Sequence, residues 1–260
     1  AAAGKGYRTS NIFVEYASAF ASSRDINIQT QNNFGYGLAQ ESAWNFGLNA
    51  TYYFLYEYRD ASIIIDFYRT YFEKVNIANL DSSPQQISFY SVDNGAYSNS
   101  LQVELNIEPF QFFNTRLAYR FVDAKQIING SWMEKPFSAK HRALLNLAYS
   151  TQKETIDDPQ MLFDFTLQWF GSKRIPSTQS NPVELRAREN SPSFILVNTQ
   201  ITRSFSQLFD LYIGVENLFD FRQDNPIIDP MNPNGNYFDA SLIWGPVSGR
   251  MVYAGIRYKM

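Results

Sequence analysis

Apolar and polar side chains alternate along much of this chain. In Trp44-Asn45-Phe46-Gly47-Leu48-Asn49-Ala50-Thr51-Tyr52, in Leu101-Gln102-Val103-Glu104-Leu105-Asn106-Ile107 and in Phe163-Asp164-Phe165-Thr166-Leu167-Gln168-Trp169, apolar residues recur with a period of two. That period sends the apolar side chains to one face of a strand and the polar ones to the other. A first strand is ending at Gly6-Tyr7-Arg8. Others are predicted at about 43–54, 61–71, 98–107, 112–122, 142–150, 162–170, 194–203, 208–218 and 250–260. The result is a sheet with one greasy and one wet face.

The connections alternate in length. Those from Phe54 to Ala61, Glu108 to Gln111 and Ser204 to Gln207 are short, and that from Thr151 to Met161 is intermediate. The others, at about 72–97, 123–141, 171–193 and 219–249, are long. This is the rhythm of a transmembrane antiparallel up-and-down β-barrel, with short turns at one end and long loops at the other. Strands of about 9–11 residues suit a tilted crossing of a bilayer. Strand direction then sets the level of each ring. Tyr52, Phe54, Phe113, Tyr149, Phe163, Phe209 and Tyr258 fall at the periplasmic level; Trp44, Phe67, Tyr119, Phe121, Trp169 and Phe219 fall at the outer level. Two aromatic girdles result, as amphipathic rings prefer the headgroup zone.

Ile63, Ile65, Leu101, Val103, Leu105, Leu117, Leu145, Leu147, Phe165, Leu167, Val197, Leu211, Ile213 and Ile256 are expected to face lipid. Asn49, Asp66, Gln102, Glu104, Arg116, Asn146, Gln168, Asn198 and Arg257 are expected to face the lumen. The polar face is too hydrophilic for a packed core and suits a water-filled or plugged lumen. Asp93-Asn94-Gly95 and Ile128-Asn129-Gly130 read as hairpin tips, since Asn-Gly supplies positive φ. Arg222 to Val247 is rich in proline, which denies it a long strand. Its Tyr237, Phe238, Ile243 and Trp244 are too apolar for a free loop, so it is expected to fold inward over the barrel mouth.

Composition agrees. Of 260 residues, 18% are charged and 17% aromatic, yet mean hydropathy is only -0.32. Runs such as Ile63-Ile64-Ile65 fall far short of the roughly 20 residues a spanning helix needs. A barrel requires only alternate residues to be apolar. The start, Ala1-Ala2-Ala3-Gly4-Lys5-Gly6, has no apolar core of a signal peptide. No cysteine is present, so disulfide and zinc-thiolate chemistry are excluded. A net charge of -3 gives no electrostatic case for nucleic acid.

Several motifs then fall in order. Gly214-Val215-Glu216-Asn217-Leu218-Phe219-Asp220 resembles the "xNLFD" strand end near the C-terminus of TonB-dependent outer-membrane receptors. Gly249 to Met260 resembles that family's final strand, with terminal Met in place of the usual Phe. Gly6-Tyr7-Arg8-Thr9-Ser10 resembles the "GFRxP" element, with Ser10 in place of Pro. Gln40-Glu41-Ser42-Ala43-Trp44-Asn45 is similar to "xPEtxxNxE", and Glu134-Lys135-Pro136 with Lys140-His141-Arg142 is similar to "rxPxHr". Asp239 to Pro246 resembles the Bacteroidota branch.

The resemblance covers nearly the whole chain. It implies a barrel of about 22 strands around a plug. Residues 1–260 would be the C-terminal part of that one barrel domain, about its last ten strands, with the plug and first barrel half outside this chain. It further implies a receptor in the Gram-negative outer membrane, binding a scarce nutrient (an iron chelate, cobalamin or a glycan-type ligand). Import would be energised by TonB-ExbB-ExbD through the plug. Implied partners are the remainder of the receptor, outer-membrane lipid and a surface lipoprotein. The alternative is a passive porin-like channel, which the long final loop and the motifs argue against.

No catalytic, cofactor or metal site is expected. His141 is the only histidine and sits in a basic strand opening, where an interfacial role is expected. One histidine without cysteine supports neither a His-based metal site nor a Ser-His hydrolase. Asp157-Asp158 precedes Pro159 and reads as solvated turn carboxylates. Glu104 and Asp164 are expected to pair with lumen arginines or the plug. Ligand contacts are expected from long-loop aromatic and Arg groups. The candidates are Trp132, Arg174, Arg186, Arg188, Tyr237 and Trp244. The competing role for each is to stitch loops together or meet lipopolysaccharide phosphates.

Overall fold

A computed structural model describes residues 1–30, 32–155 and 158–258. Among these residues, twelve strands form one sheet: β1 (Ala2–Arg8), β2 (Asp25–Ile28), β3 (Glu41–Tyr56), β4 (Arg59–Asn79), β5 (Gln86–Phe110), β6 (Phe113–Ile128), β7 (Ser131–Glu134), β8 (His141–Ser150), β9 (Gln160–Phe170), β10 (Phe194–Ser204), β11 (Phe209–Glu216) and β12 (Met251–Tyr258). Ten lie in the order β1-β3-β4-β5-β6-β8-β9-β10-β11-β12, while β2 pairs β5 and β7 pairs β6. These ten are the predicted strands. The neighbours on the path are antiparallel. This is the wall of an up-and-down barrel.

Directly opposed residues share a face, so the register sorts the side chains. Ile63, Leu105, Leu117, Leu145, Leu167 and Val197 form one apolar row across six strands. Asn106, Arg116, Asn146, Thr166 and Asn198 form the adjoining polar row. The two predicted groups fall on opposite faces. Val197 is a local exception: it lies on the outward face but is 1% exposed. The chain leaving β11 runs beside it there, with Leu218 N–H donating to Val197 O at 2.7 Å.

The girdles have a physical form. At the turn end, Phe110 stacks on Phe113 at 4.5 Å, Phe113 lies 6.4 Å from Tyr149, and Tyr149 lies 6.1 Å from Phe163. At the loop end, Tyr119 Oη and His141 Nδ1 are 2.6 Å apart, and His141 is opposite Phe121 on the outward face. The histidine thus stands among the outward-facing rings at the loop end of the sheet. Asp157 and Met260, singled out in the sequence, lie outside the described residues.

Three glycines on the lumen face oppose tyrosines: Gly47 and Tyr68, Gly214 and Tyr253, Gly255 and Tyr212. A Cβ on Gly214 would sit 2.4 Å from the Tyr253 ring, and one on Gly255 2.3 Å from Tyr212 Oη. Each ring lies across the bare backbone of its partner, covering an otherwise weak spot in the strand.

One turn expectation fails. Asp93-Asn94-Gly95 lies inside β5 and is not a hairpin tip. Glu73 of β4 faces both Asn94 and Gly95, so the register shifts and Asn94 takes φ 53° as a bulge residue. Positive φ is used as the residues allow, but to bend a strand instead of reversing it. Asn129-Gly130 does reverse the chain, with φ of 51° and 77° between β6 and β7. As a result β4 and β5 run to 21 and 25 residues, well beyond a bilayer crossing.

Among the described residues, three buried apolar clusters lie in the loops and projecting strand ends. Ile12, Ala19, Leu38, Ala78, Leu80, Ile87 and Phe89 pack the first loop against the β4–β5 ribbon. Val75, Ile77, Ala96 and Ile128 join that ribbon to the β6–β7 hairpin. Ile175, Phe194, Leu242 and Trp244 join the β9–β10 loop to the last loop. The first loop is also held by Asn76, whose Nδ2 donates to Ser10 Oγ at 2.8 Å and Ala39 O at 3.0 Å. The hydroxyl of Ser10, which replaces the motif proline, is thus an acceptor in a buried network.

Candidate functional site

The segment 217–250 leaves β11 and returns to β12 without a strand of its own. It turns inward and crosses to the first loop, as its mixture of prolines and rings predicted. Arg24 Nε donates to Asp239 Oδ2 at 3.0 Å, and Nη2 lies 2.9 Å from the same oxygen. Both side chains are almost fully buried. Arg24 Nη1 also donates to Ser83 O at 3.1 Å. Asp239 Oδ1 accepts from Ser241 N at 2.7 Å and Ser241 Oγ at 2.6 Å. Backbone bonds from Ser23 to Phe238 and from Ala240 to Ala21 complete the junction. A buried charge is tolerated when it is paired and hydrogen-bonded in this way.

Between this loop and the β9–β10 loop lies a cleft of about 710 Å³. Arg186, Arg188 and Glu184 line one side, Asp224, Asp229 and Pro226 the other, with Trp244 and Leu242 at the base. Gln223 fixes the base: its Oε1 accepts from Trp244 N at 2.7 Å and Gly245 N at 3.0 Å. Trp244 packs on Phe194 at 6.0 Å and Phe221 at 6.3 Å. Phe194 itself stacks on Phe221 at 4.7 Å and on Phe170 at 5.0 Å. Lys173 lies over Phe194 and Phe170, and donates to Trp244 O. Burial lowers its pKa, as does the nearby Arg142.

The six predicted residues divide. Arg186, Arg188 and Trp244 meet in this cleft. Arg186 Nε is held by Asn181 O at 2.9 Å. Arg174 is committed elsewhere, bidentate to Asp81 at 2.6 and 3.1 Å with Nε on Glu134 O at 2.7 Å. It staples the β9–β10 loop to the β4–β5 connection. Trp132 is half-exposed on β7 and packs on Tyr97 at 5.3 Å, on the outward side of the ribbon. Tyr237 is partly exposed and is not among the cleft-lining residues.

The residues that build the mouth were not prominent in the sequence. Arg24, Asp81 and Gln223 carry no motif, Asp239 opens one that says nothing of its ion pair, and two of these contacts span 93 and 215 residues. Only the apolar residues beside Asp239 hinted that it is buried. Among the described residues, no group of three or more acidic or imidazole side chains could hold a metal ion.

No family model matches the chain, and no curated protein matches it. Solved structures do. The ferric enterobactin receptor PfeA of Pseudomonas aeruginosa, in a mutant form, aligns with 98% of this chain and 37% of its own, at TM-score 0.60 and 14% identity. FpvA of P. aeruginosa, bound to heterologous pyoverdines, aligns over 98% and 30%, at TM-score 0.63 and 12% identity. The copper transporter OprC aligns over 98% and 36%, at TM-score 0.65 and 12% identity. The chain spans about a third of the length of these proteins. The fold is that of an outer-membrane receptor barrel.

Proposed function

We propose that this chain is the C-terminal barrel part of an outer-membrane nutrient receptor, with its ligand captured in the cleft between the β9–β10 and last loops. The observation that carries this is the cleft itself: about 710 Å³, above a polar-walled barrel, with Arg186, Arg188 and Trp244 converging on it. Its lining has both signs of charge, with Glu184, Asp224 and Asp229 beside the two arginines. Such a lining suits a polar ligand with donors and acceptors together. An iron chelate, a cobalamin or a glycan-type ligand meets that description. The work is binding and passage, with no covalent step and no enzymatic role.

A plug and the other barrel strands complete the wall, and TonB-ExbB-ExbD supplies the energy through the plug. A surface lipoprotein is a further partner if the ligand is a glycan. The Bacteroidota affinity rests on residues 239–246 alone. Deleting residues 226–243 tests the assignment: the receptor is expected to reach the outer membrane at normal abundance but to lose ligand capture. Unchanged uptake affinity and rate would refute it.

A further inference from the structure

The lumen wall holds cations that, among the described residues, no carboxylate pairs with. Arg120 of β6 lies directly opposite Arg142 of β8, and Gln102 of β5 lies opposite Arg120 on its other side. Like charges in opposed positions destabilise a sheet, because their Cβ atoms are only about 4.5–5.5 Å apart. The neighbouring Arg116 is different, for its Nη2 donates to Glu104 Oε2 at 2.7 Å. Arg120 Nε donates to the neutral Ser100 Oγ at 3.3 Å, and Arg142 rests 5.4 Å from the Phe170 ring. Lys173 Nζ lies 5.7 Å from the centroid of the same ring. Among the described residues, none of Arg120, Arg142 and Lys173 forms an ion pair.

Arg120 and Arg142 border a concavity of about 350 Å³, which Gln102, Gln168 and Phe170 also line, together with Glu104 and Arg116, whose charges answer each other. Arg120 and Arg142 are both exposed to it. Two guanidinium forks flanked by two amides match an oxyanion, since each fork can bind carboxylate or phosphate through parallel N–H bonds. An oxyanion between the forks would also turn their mutual repulsion into attraction.

We infer that Arg120 and Arg142, with Gln102 and Gln168, form an oxyanion-binding station on the lumen wall, for the carboxylate or phosphate of a solute passing from the mouth. The site opens toward the mouth through shared aromatic residues: Phe170 stacks on Phe194, which packs on the Trp244 base of the cleft. This continuity favours a travelling anion over a fixed carboxylate from another part of the receptor.

Calorimetric titration of the purified full-length receptor tests this, with citrate as the polycarboxylate probe and inorganic phosphate as the other. The readout is direct binding, so it does not depend on the identity of the transported ligand or on the cleft above. At least one probe is expected to bind the parent protein. The Arg120→Gln/Arg142→Gln double variant is expected to bind it at least tenfold more weakly. Lys125→Gln, which removes a charge from the outward side, is expected to leave affinity unchanged. Retained heat-dependent mobility on denaturing gels checks that each barrel is folded. If neither probe binds the parent, or the double variant binds equally well, the inference is overturned. It is also overturned if the double variant only makes the N-terminal part of the receptor protease-sensitive, for then a carboxylate of the receptor itself occupies the station.

Discussion

Replacing Asp239 with Asn keeps the size of the side chain and removes its charge. In the structure that carboxylate meets a guanidinium with almost no solvent contact. Removing one partner of a buried pair leaves the other charge uncompensated, at a cost of about 3–5 kcal/mol. The junction includes backbone bonds at Ser23 and Ala240, so the cost falls on opening of the last loop from the first, not on the barrel. At about 1.4 kcal/mol per tenfold, the lower bound corresponds to roughly a hundredfold more opening. Hydrogen exchange of peptides covering 17–30 and 221–247 should accelerate by about that factor, while peptides from β8 and β9 stay protected. The double change Arg24→Met/Asp239→Leu should restore most of the protection, because an apolar pair can replace a buried ion pair at little cost. If Asp239→Asn left both peptides fully protected, or if the double variant were the more open of the two, the pair would not be what fastens the loops.

Leu105→Arg puts a charge on the outward face within a spanning strand and should cost roughly 2–4 kcal/mol in assembly into lipid, whereas Gln102→Arg, on the lumen face, should assemble far better; refolding yields into bilayers distinguish them. Gly214→Val should displace Tyr253 and break its 3.0 Å bond to Gln200, lowering the barrel's thermal midpoint. Tyr58→Gly should stabilise by about 1 kcal/mol, because Glu57 and Tyr58 both hold positive φ, at 47° and 65°, in the β3–β4 turn; denaturant unfolding measures it. Asp220 has its pKa lowered by the Arg250 backbone N–H and then by Arg222. This tether should be present above the ordinary carboxylate pKa and lost as pH falls through the depressed one, seen as faster exchange of the Arg250 amide in acid.

What could be read from the sequence was what repeats. A period of two, held for ten strands, fixes faces without any knowledge of neighbours, so Leu105 and Gln102 could be assigned to opposite sides. What could not be read was specific to one place. The β3–β4 turn is Glu57-Tyr58, which carries no turn signal, since its positive φ values are imposed by the twist of the strands on either side. Asn94-Gly95 carries a strong signal, but whether it reverses a strand or bends one depends on what pairs with it; here β4 continues past it to Asn79. For the site, residue type found Arg174, Arg186 and Arg188 equally. Only the three-dimensional position of Asp81 separates the first, its charge already paired within the protein, from the two that line the cleft.

The same inversion that hides the site from the sequence explains how it is held. A soluble sheet buries its apolar face, so its core and its strands are the same residues. Here the apolar face of the strands is turned outward, with Leu48, Ile65, Leu117 and Ile213 all exposed. The buried clusters are built mainly by loops and by strand ends beyond the lipid zone. Their residues follow no period, because each is placed by a partner from a distant segment. That gives the mouth a cohesion of its own: Trp244 and Phe194 are anchored by packing among the loops, while the barrel wall is held by its ladder of backbone bonds and the lipid around it. Mutations in the two regions should therefore separate, the outward face controlling assembly and the loop clusters controlling the cleft. A Trp244→Ala variant that assembled normally but left loop exchange unaltered would contradict that separation, since removing a buried aromatic ring typically costs about 3–5 kcal/mol and the loops alone should bear it.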